Sequence, residues 1–384
     1  MPPIRFIHAA DLHLDAAFSG LSRDIPADFA ERLRTATFTA FRRLLDLCER
    51  ESPDFLLLAG DVYNQEDASV SAQLALRDGF RRLESLSIPV FLVHGNHDPL
   101  ASRLRSVRWP GNVTVFGELP DAVPVFRKGE GTPLAIIHGA SHASGRETRN
   151  LAALFRRTEA CGLHVGLLHA TPGDADGVAR YAPFSQEDLK ASGMDYWALG
   201  HIHDCREVCR EPLAAYPGCT QGLHINEPGE KGCLLVTAEA RPDGGYAVRT
   251  SFRPLGPAVW KTLDMDLGGA ASLDELENRL RTGLDRAAAE VWSGCEMLLV
   301  RLRLQGRTEL DGLLRKGTTC AELADRLRED GSGVPRIWIK DIDVATRPCV
   351  ERGALLERED LLGEVFRLSE AARTASGLQA LREG

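Results

Sequence analysis

FIHAADLHLD (Phe6–Asp15), DFLLLAGD (Asp54–Asp61) and VFLVHGNHD (Val90–Asp98) decide the reading of the fold. Each is a short apolar run that stops on polar residues. Ile4–Ala10 reads as a strand ending at Asp11, Asp54–Ala59 as one ending at Gly60-Asp61, and Pro89–His94 as one ending at Gly95-Asn96-His97-Asp98. Between the first two lies Asp28–Arg50, read as one amphipathic helix with Phe38, Phe41, Leu44, Leu45 and Cys48 on one face. A second helix is expected from about Ser69 to Leu86. Strand, helix, strand, helix, strand in that order specifies an α/β layered domain.

Working outward, Leu134–His138, His164–His169 and Tyr196–Leu199 are further strands. Gly232–Glu239 and Tyr246–Arg253 follow, and this later run suggests a second sheet stacked on the first. Two prolines and a glycine in Arg253–Pro257 read as a linker. Beyond it come strand Ala258–Leu267, a helix capped by Ser272 with Glu275 at capping-box spacing, strand Glu296–Leu304, helical Glu309–Glu329 and strand Arg336–Val344. The expected division is therefore residues 1–253, a smaller α+β unit over 258–345, and a helical tail over 346–384.

A chain of 384 residues that is 43% hydrophobic and 26% charged has ordinary globular composition. Its formal charge of -9 argues against sequence-blind coating of nucleic acid, but leaves room for a local basic groove. Six lysines stand against forty arginines, so a phosphate clamp would be built mainly of arginine. Nine scattered cysteines fit a reducing compartment better than a disulfide framework. No signal-peptide core and no membrane-length apolar run is found, so the expected location is cytoplasmic, with no membrane.

The chemistry lies at the strand ends. Asp11 and His13, Asp61, Asn96 and His97, His169, and His201 and His203 all follow strands. In open α/β sheets ligands bind beyond the carboxyl ends of the strands. Carboxylate, imidazole and one amide oxygen, without thiolate, suit Mn²⁺, Zn²⁺, Fe²⁺ or Ni²⁺ better than Ca²⁺ or Mg²⁺. A pair of ions needs a shared carboxylate, and Asp61 beside Gly60 fits that need. Such a pair lowers the pKa of a shared water and stabilises charge on phosphoryl oxygens. His97, next to Asn96, is assigned as general acid or transition-state stabiliser.

The series DLHLD, GD, GNHD, strand-end His and GHIH resembles the calcineurin-like metallophosphoesterase superfamily. The flanking segments resemble its DNA-repair exonuclease branch, the SbcD-like nucleases, and among these the YhaO-type members. YAPFSQEDL, DYWALGHIH, YPGCTQGLH and EKGCLLV carry that resemblance over the first 240 or so residues. It implies a two-sheet sandwich flanked by helices with a smaller C-terminal α+β capping domain. It also implies two divalent metal ions, manganese by preference. Asp11, His13, Asp61 and His203 would hold one, Asp61, Asn96, His169 and His201 the other, with His97 catalytic. The implied activity is a Mn-dependent DNA exonuclease or endonuclease in repair. The implied partners are DNA, an ATPase of the SbcC or Rad50 kind docked on the tail, and a second copy in a homodimer. The chain departs from the pattern at Asn64, where nuclease relatives often carry histidine, and at Cys219 and Leu223, where YhaO-like chains tend to carry asparagine and arginine.

Other features are weaker. Arg103, Arg105 and Arg108 either track a phosphate backbone or form a solvated face. Tyr63, Phe18 and Phe184 read first as packing, with base stacking as the alternative. Cys205, Cys209 and Cys219 fit no strong zinc pattern. His138 and His142 read as groups near substrate or as core histidines. Leu361, Leu362, Val365, Phe366 and Leu368 share a helix face for docking or for self-packing. The rival activities are a cyclic-nucleotide or other small-molecule phosphodiesterase, a phosphatase of the same superfamily, and a non-catalytic scaffold.

Overall fold

The computed structural model describes residues 2–21, 25–64, 69–101, 107–174, 180–242, 244–329, 333–349 and 352–373. Arg103, Arg105 and the end of the tail lie outside these. In chain order the strands are β1 (Ile4–Ala9), β2 (Phe55–Ala59), β3 (Val90–Val93), β4 (Val113–Val115), β5 (Asp121–Val125), β6 (Ala135–Ala140), β7 (Leu163–His169), β8 (Tyr196–Gly200), β9 (Arg206–Arg210), β10 (Leu213–Tyr216), β11 (Gly232–Ala240) and β12 (Tyr246–Pro254). They form two six-stranded sheets, ordered β12-β11-β1-β2-β3-β4 and β5-β6-β7-β8-β10-β9. In each, the central strands run parallel: β1, β2 and β3 in the first, and β6, β7 and β8 in the second. The α/β two-sheet architecture expected from the sequence is therefore present, but the second sheet is built from β5 to β10, and the late strands β11 and β12, expected to form it, instead extend the first sheet beside β1.

Alternation along β1 explains the stacking. Phe6 and Ala10 face the interior between the sheets, with Phe55, Leu57, Phe91 and Val93 of the first sheet and Ile137, Val165, Leu167 and Tyr196 of the second. Ile7 and Ala9 face the other way, onto helices. β2 is buried on both faces, which is why FLLLA is apolar throughout rather than alternating. Phe6 and Phe55 stack with ring centroids 4.7 Å apart, and each such buried ring contributes about 1.5–3 kcal/mol.

The helix expected over Asp28–Arg50 is two, α1 (Ala27–Arg34) and α2 (Ala36–Glu51). The break falls at Thr35, whose hydroxyl donates to the carbonyls of Glu31 and Arg32. Threonine at that spot competes with the helical ladder for those acceptors. α2 packs Phe41, Leu44, Leu45 and Cys48 on the first sheet beside α3 (Val70–Ser85), and Phe38 is only half-buried. A short helix, α4 (Gln186–Ala191), opens with a capping box between Ser185 and Asp188. The expected linker is short and tied down: β12 runs as far as Pro254, β13 begins at Ala258, and between them the amides of Leu255 and Gly256 both donate to the Lys231 carbonyl.

The chain falls into two compact units. The first comprises residues 1–262, 287–300 and 331–340; the second comprises 263–286, 301–330 and 341–384. The later elements are β13 (Ala258–Asp266), α5 (Leu273–Glu290), β14 (Met297–Gln305), β15 (Arg307–Thr308), α6 (Asp311–Leu314), α7 (Thr319–Glu329), β16 (Arg336–Val344), β17 (Arg347–Pro348), α8 (Arg352–Leu356) and α9 (Leu361–Ala371). β13, β14 and β16 form a three-stranded sheet. The Ser272 hydroxyl accepts from the Glu275 amide at 3.2 Å, as its spacing predicts. Within the second unit, Asp311 accepts from Thr346 and Arg315. No helix among the described residues is long and apolar enough to cross a membrane.

Candidate metal centre

The parallel strands of both sheets deliver their carboxyl ends to one edge. Past β1 and β2 the backbones stay paired: Asp11 N–H donates to Gly60 O, His13 N–H to Asp61 O and Leu14 N–H to Val62 O. Asp11 and Asp61 therefore emerge side by side. Asp98, fully buried, accepts from the amides of Gly95, Asp61 and Val62 at 2.7, 3.2 and 3.0 Å and ties the third loop to the second. From the second sheet, His169 ends β7 in register with Gly200 of β8, which leads into His201.

Four of these residues hold the left-handed backbone: Asp11 at φ 51°, His13 at 40°, Asp61 at 51° and His201 at 105°. Non-glycine residues rarely adopt it, and such strain concentrates where side chains must be aimed. Gly95 has no Cβ for an equally concrete reason. One there would lie 2.3 Å from Asp61 Oδ1 and 2.8 Å from the His169 ring.

Two ligand groups result: Asp11, His13 and His203, and Asp61, His169 and His201, with the donor atoms of each within 4.8 Å of one another. In the second, His169 Nε2 lies 3.3 Å from Asp61 Oδ2 and 3.0 Å from Asn96 Oδ1. The groups touch: the His201 amide donates to Asp11 Oδ2 at 3.0 Å. His97 is exposed at the lip, its ring 5.1 Å from that of His13, and its amide donates to Asp61 Oδ1 at 2.9 Å.

Three hydrogen bonds orient the imidazoles. Nδ1–H of His13 donates to Asn64 Oδ1 at 2.6 Å, Nδ1–H of His203 to Glu227 Oε1 at 2.6 Å, and Nδ1–H of His169 to the Ala59 carbonyl at 2.9 Å. A carboxylate or carbonyl can only accept, so each ring, when neutral, turns its Nε2 lone pair into the site. The Nε2 atoms of His13 and His203 then face each other at 3.2 Å. Two lone pairs at that separation repel unless a cation or proton lies between them. Asp11 Oδ1 is buried with no hydrogen-bond partner among the described residues and lies 3.7 Å from His203 Nε2. An orphaned buried carboxylate oxygen beside convergent imidazole lone pairs is a donor set that fits divalent metal ions.

The electrostatics agree. Burial pushes the Asp11 carboxyl up against the pull of His203 and His169. For His169, burial favours the neutral ring but is outweighed by Asp61, and its pKa rises to about 9. Burial also opposes ionisation of Asp61, yet the neighbouring His169 and His13 hold its carboxyl far below the usual range. The cluster holds net negative charge poorly without cationic neighbours, which is the condition a metal ion relieves.

Other sequence-marked residues lie elsewhere. His142 is buried and donates to the His169 carbonyl at 2.6 Å, so it supports the backbone of that loop rather than reaching substrate. His138 pairs with His164 at 3.0 Å in the interior of the second sheet. Tyr63 and Phe184 are buried, and Phe18 packs on Trp260, so all three are packing groups. Arg108 is exposed. Of the three cysteines, Cys205 is exposed, Cys209 donates to the Glu211 carbonyl, and only Cys219 approaches possible ligands, His203 and Glu227. Those two already hydrogen-bond each other directly. Glu227 and the clamp role of Asp98 were not legible as motifs. Asp98 stands in GNHD, whereas nothing local marks Glu227.

Residues 4–205 match the calcineurin-like phosphoesterase family, and residues 260–347 match the middle domain of the metallophosphoesterase YhaO. The chain belongs to the calcineurin-like phosphoesterases, hydrolases that act on phosphate esters with divalent metal ions. It is 36% identical over 348 residues to an uncharacterized metallophosphoesterase YhaO of Bacillus subtilis (strain 168), covering 89% of this chain and 82% of that one. It is 27% identical over 319 residues to the DNA double-strand break repair protein Mre11 of Aeropyrum pernix, covering 76% and 69%. The corresponding Mre11 of Sulfurisphaera tokodaii is 25% identical over 216 residues, covering 54% and 50%.

Proposed function

We propose that the chain is a Mn²⁺-dependent DNA phosphodiesterase, an exonuclease or endonuclease acting in DNA repair. The observation that carries the reading is the pairing of two neighbouring ligand groups in which hydrogen bonds turn Nε2 of His13, His203 and His169 inward. The similarity to proteins named for double-strand break repair supports DNA as the substrate class. In this reading Asp11, His13, Asp61 and His203 hold one metal ion, and Asp61, Asn96, His169 and His201 hold the other.

When bound, the ions supply Lewis acidity that makes water nucleophilic near neutral pH and offsets charge on the phosphoryl oxygens. The chain's own residues do the rest. Asp61 is held rigidly by the buried Asp98 clamp and the His97 amide. His97, exposed beside His13, carries the proton needed by the departing oxygen. Asn64, Glu227 and the Ala59 carbonyl keep three rings from turning away. The exposed side chains Leu361, Leu362, Val365 and Leu368 on α9 would serve as the docking face for an ATPase partner.

The test is incubation of purified protein with end-labelled duplex, single-stranded and hairpin DNA, with each divalent metal in turn. Wild type should cut with Mn²⁺, and Asp61→Ala should reduce cutting on the order of 10³-fold or more. Faster turnover of a cyclic nucleotide than of any DNA would replace the DNA reading.

A further inference from the structure

The matched phosphoesterase region ends at residue 205 and the matched middle domain begins at 260. Between them lies the segment joining β10 to β11, and it wraps one ligand. The His203 carbonyl accepts from Lys231 Nζ at 3.0 Å and from the Cys219 amide at 3.3 Å. Lys231, only 4% exposed, also reaches Asp204 at 2.8 Å. On the side-chain flank, Glu227 Oε1 accepts from His203 Nδ1 at 2.6 Å. Glu227 is itself fixed, because its other oxygen accepts from the Leu223 amide at 2.6 Å.

We infer that Glu227 is a positioning residue that sets the metal affinity of the His13 and His203 half of the centre without touching the metal. The inference rests on the two-metal reading above. Both carboxylate oxygens are committed to donors, so the side chain cannot swing in as a ligand without releasing one of them. A carboxylate behind a ligating imidazole fixes its tautomer and increases the electron density on Nε2. The other imidazole of this half, His13, has only the neutral amide oxygen of Asn64 behind it. His169 has a backbone carbonyl. Glu227 therefore supplies the one charged support among these three rings, and its effect should fall on one metal position and spare the other.

Glu227→Gln isolates this. Its single amide oxygen can accept from the Leu223 amide or from His203 Nδ1–H, but not from both. Metal-stripped wild type, Glu227→Gln and Glu227→Asp are each titrated with Mn²⁺ alone by calorimetry, with thermal unfolding measured on the same samples. The expected result is two binding events in wild type. In Glu227→Gln one event weakens by about ten- to hundredfold, while the other stays as in wild type and the unfolding midpoint falls by no more than a few degrees, roughly the cost of one lost hydrogen bond. Glu227→Asp, which keeps the carboxylate, should recover part of the lost affinity. Two events unchanged in Glu227→Gln overturn the inference alone, as does an equal weakening of both events with a lowered midpoint. No Mn²⁺ binding by wild type overturns the two-metal reading and this inference with it.

Discussion

The two halves of the centre are built differently. His169 is wholly buried, belongs to a β-strand, and donates across the sandwich to the carbonyl of Ala59 on the facing sheet. His13 and His203 stand on loops, and His203 has a side chain 32% exposed. They are oriented by the side chains of Asn64 and Glu227 rather than by backbone. A ligand oriented by the core cannot be altered without disturbing the core, whereas one oriented by a neighbouring side chain can be tuned by a single substitution. The first half of the centre is thus where sequence change can adjust metal affinity at little cost to the fold.

The sharpest test of this contrast compares His169→Ala with His203→Ala. Both should lose metal-dependent hydrolysis. In metal-free urea unfolding, His169→Ala should lose about 2–4 kcal/mol, from the cavity and the stranded Ala59 carbonyl. His203→Ala should lose under about 1 kcal/mol. Equal losses would erase the distinction between core-held and loop-held ligands.

His97→Ala comes next in size. It should lower kcat by about 10²–10⁴-fold while Mn²⁺ affinity by calorimetry stays at the wild-type value, because only the His97 amide touches Asp61. A parallel loss of metal binding would make His97 a ligand rather than a proton carrier.

Asn64→Ala removes the neutral support of His13. It should weaken one Mn²⁺ binding event by about tenfold, less than Glu227→Gln. An effect larger than that of Glu227→Gln would mean that charge behind the ring is not the deciding factor.

The last test probes the seam between the sheets. His8 on β1 accepts from Tyr196 Oη at 2.9 Å and donates to the Leu199 carbonyl at 3.1 Å. Burial depresses its pKa from 6.5 to about 3, against the opposing hydrogen bond to Leu199. The unfolded chain takes up this proton near pH 6.5 and the folded chain resists until about pH 3. Between those values the unfolded state binds more protons, so stability falls as pH falls, by at most about 1.4 kcal/mol per pH unit from this group. His8→Gln, an amide able to accept and donate at the same places, should flatten that part of the urea-midpoint profile. An unchanged slope would assign the acid sensitivity to other groups.

Local pattern carried much of this architecture. The apolar runs of β1, β2 and β3 are nearly continuous because these strands are buried on both faces, and that is visible residue by residue. The strand ends marked Asp11, His13, Asp61, Asn96, His97, His169, His201 and His203, because polar ligands at successive strand ends are a one-dimensional signal of a shared edge. The sequence was silent where partners are far apart in the chain. Glu227 meets His203 across 24 residues that include β9 and β10, and His169 meets Ala59 across 110 residues. The left-handed turns at Asp11, His13, Asp61 and His201 lack the glycine that would announce them. The break at Thr35 depends on a hydroxyl that bonds back to the carbonyls of Glu31 and Arg32 in competition with the helical ladder. Which residues are candidate ligands follows from their position at strand ends. Which way each imidazole faces is decided by hydrogen bonds that exist only once the two sheets have closed on each other.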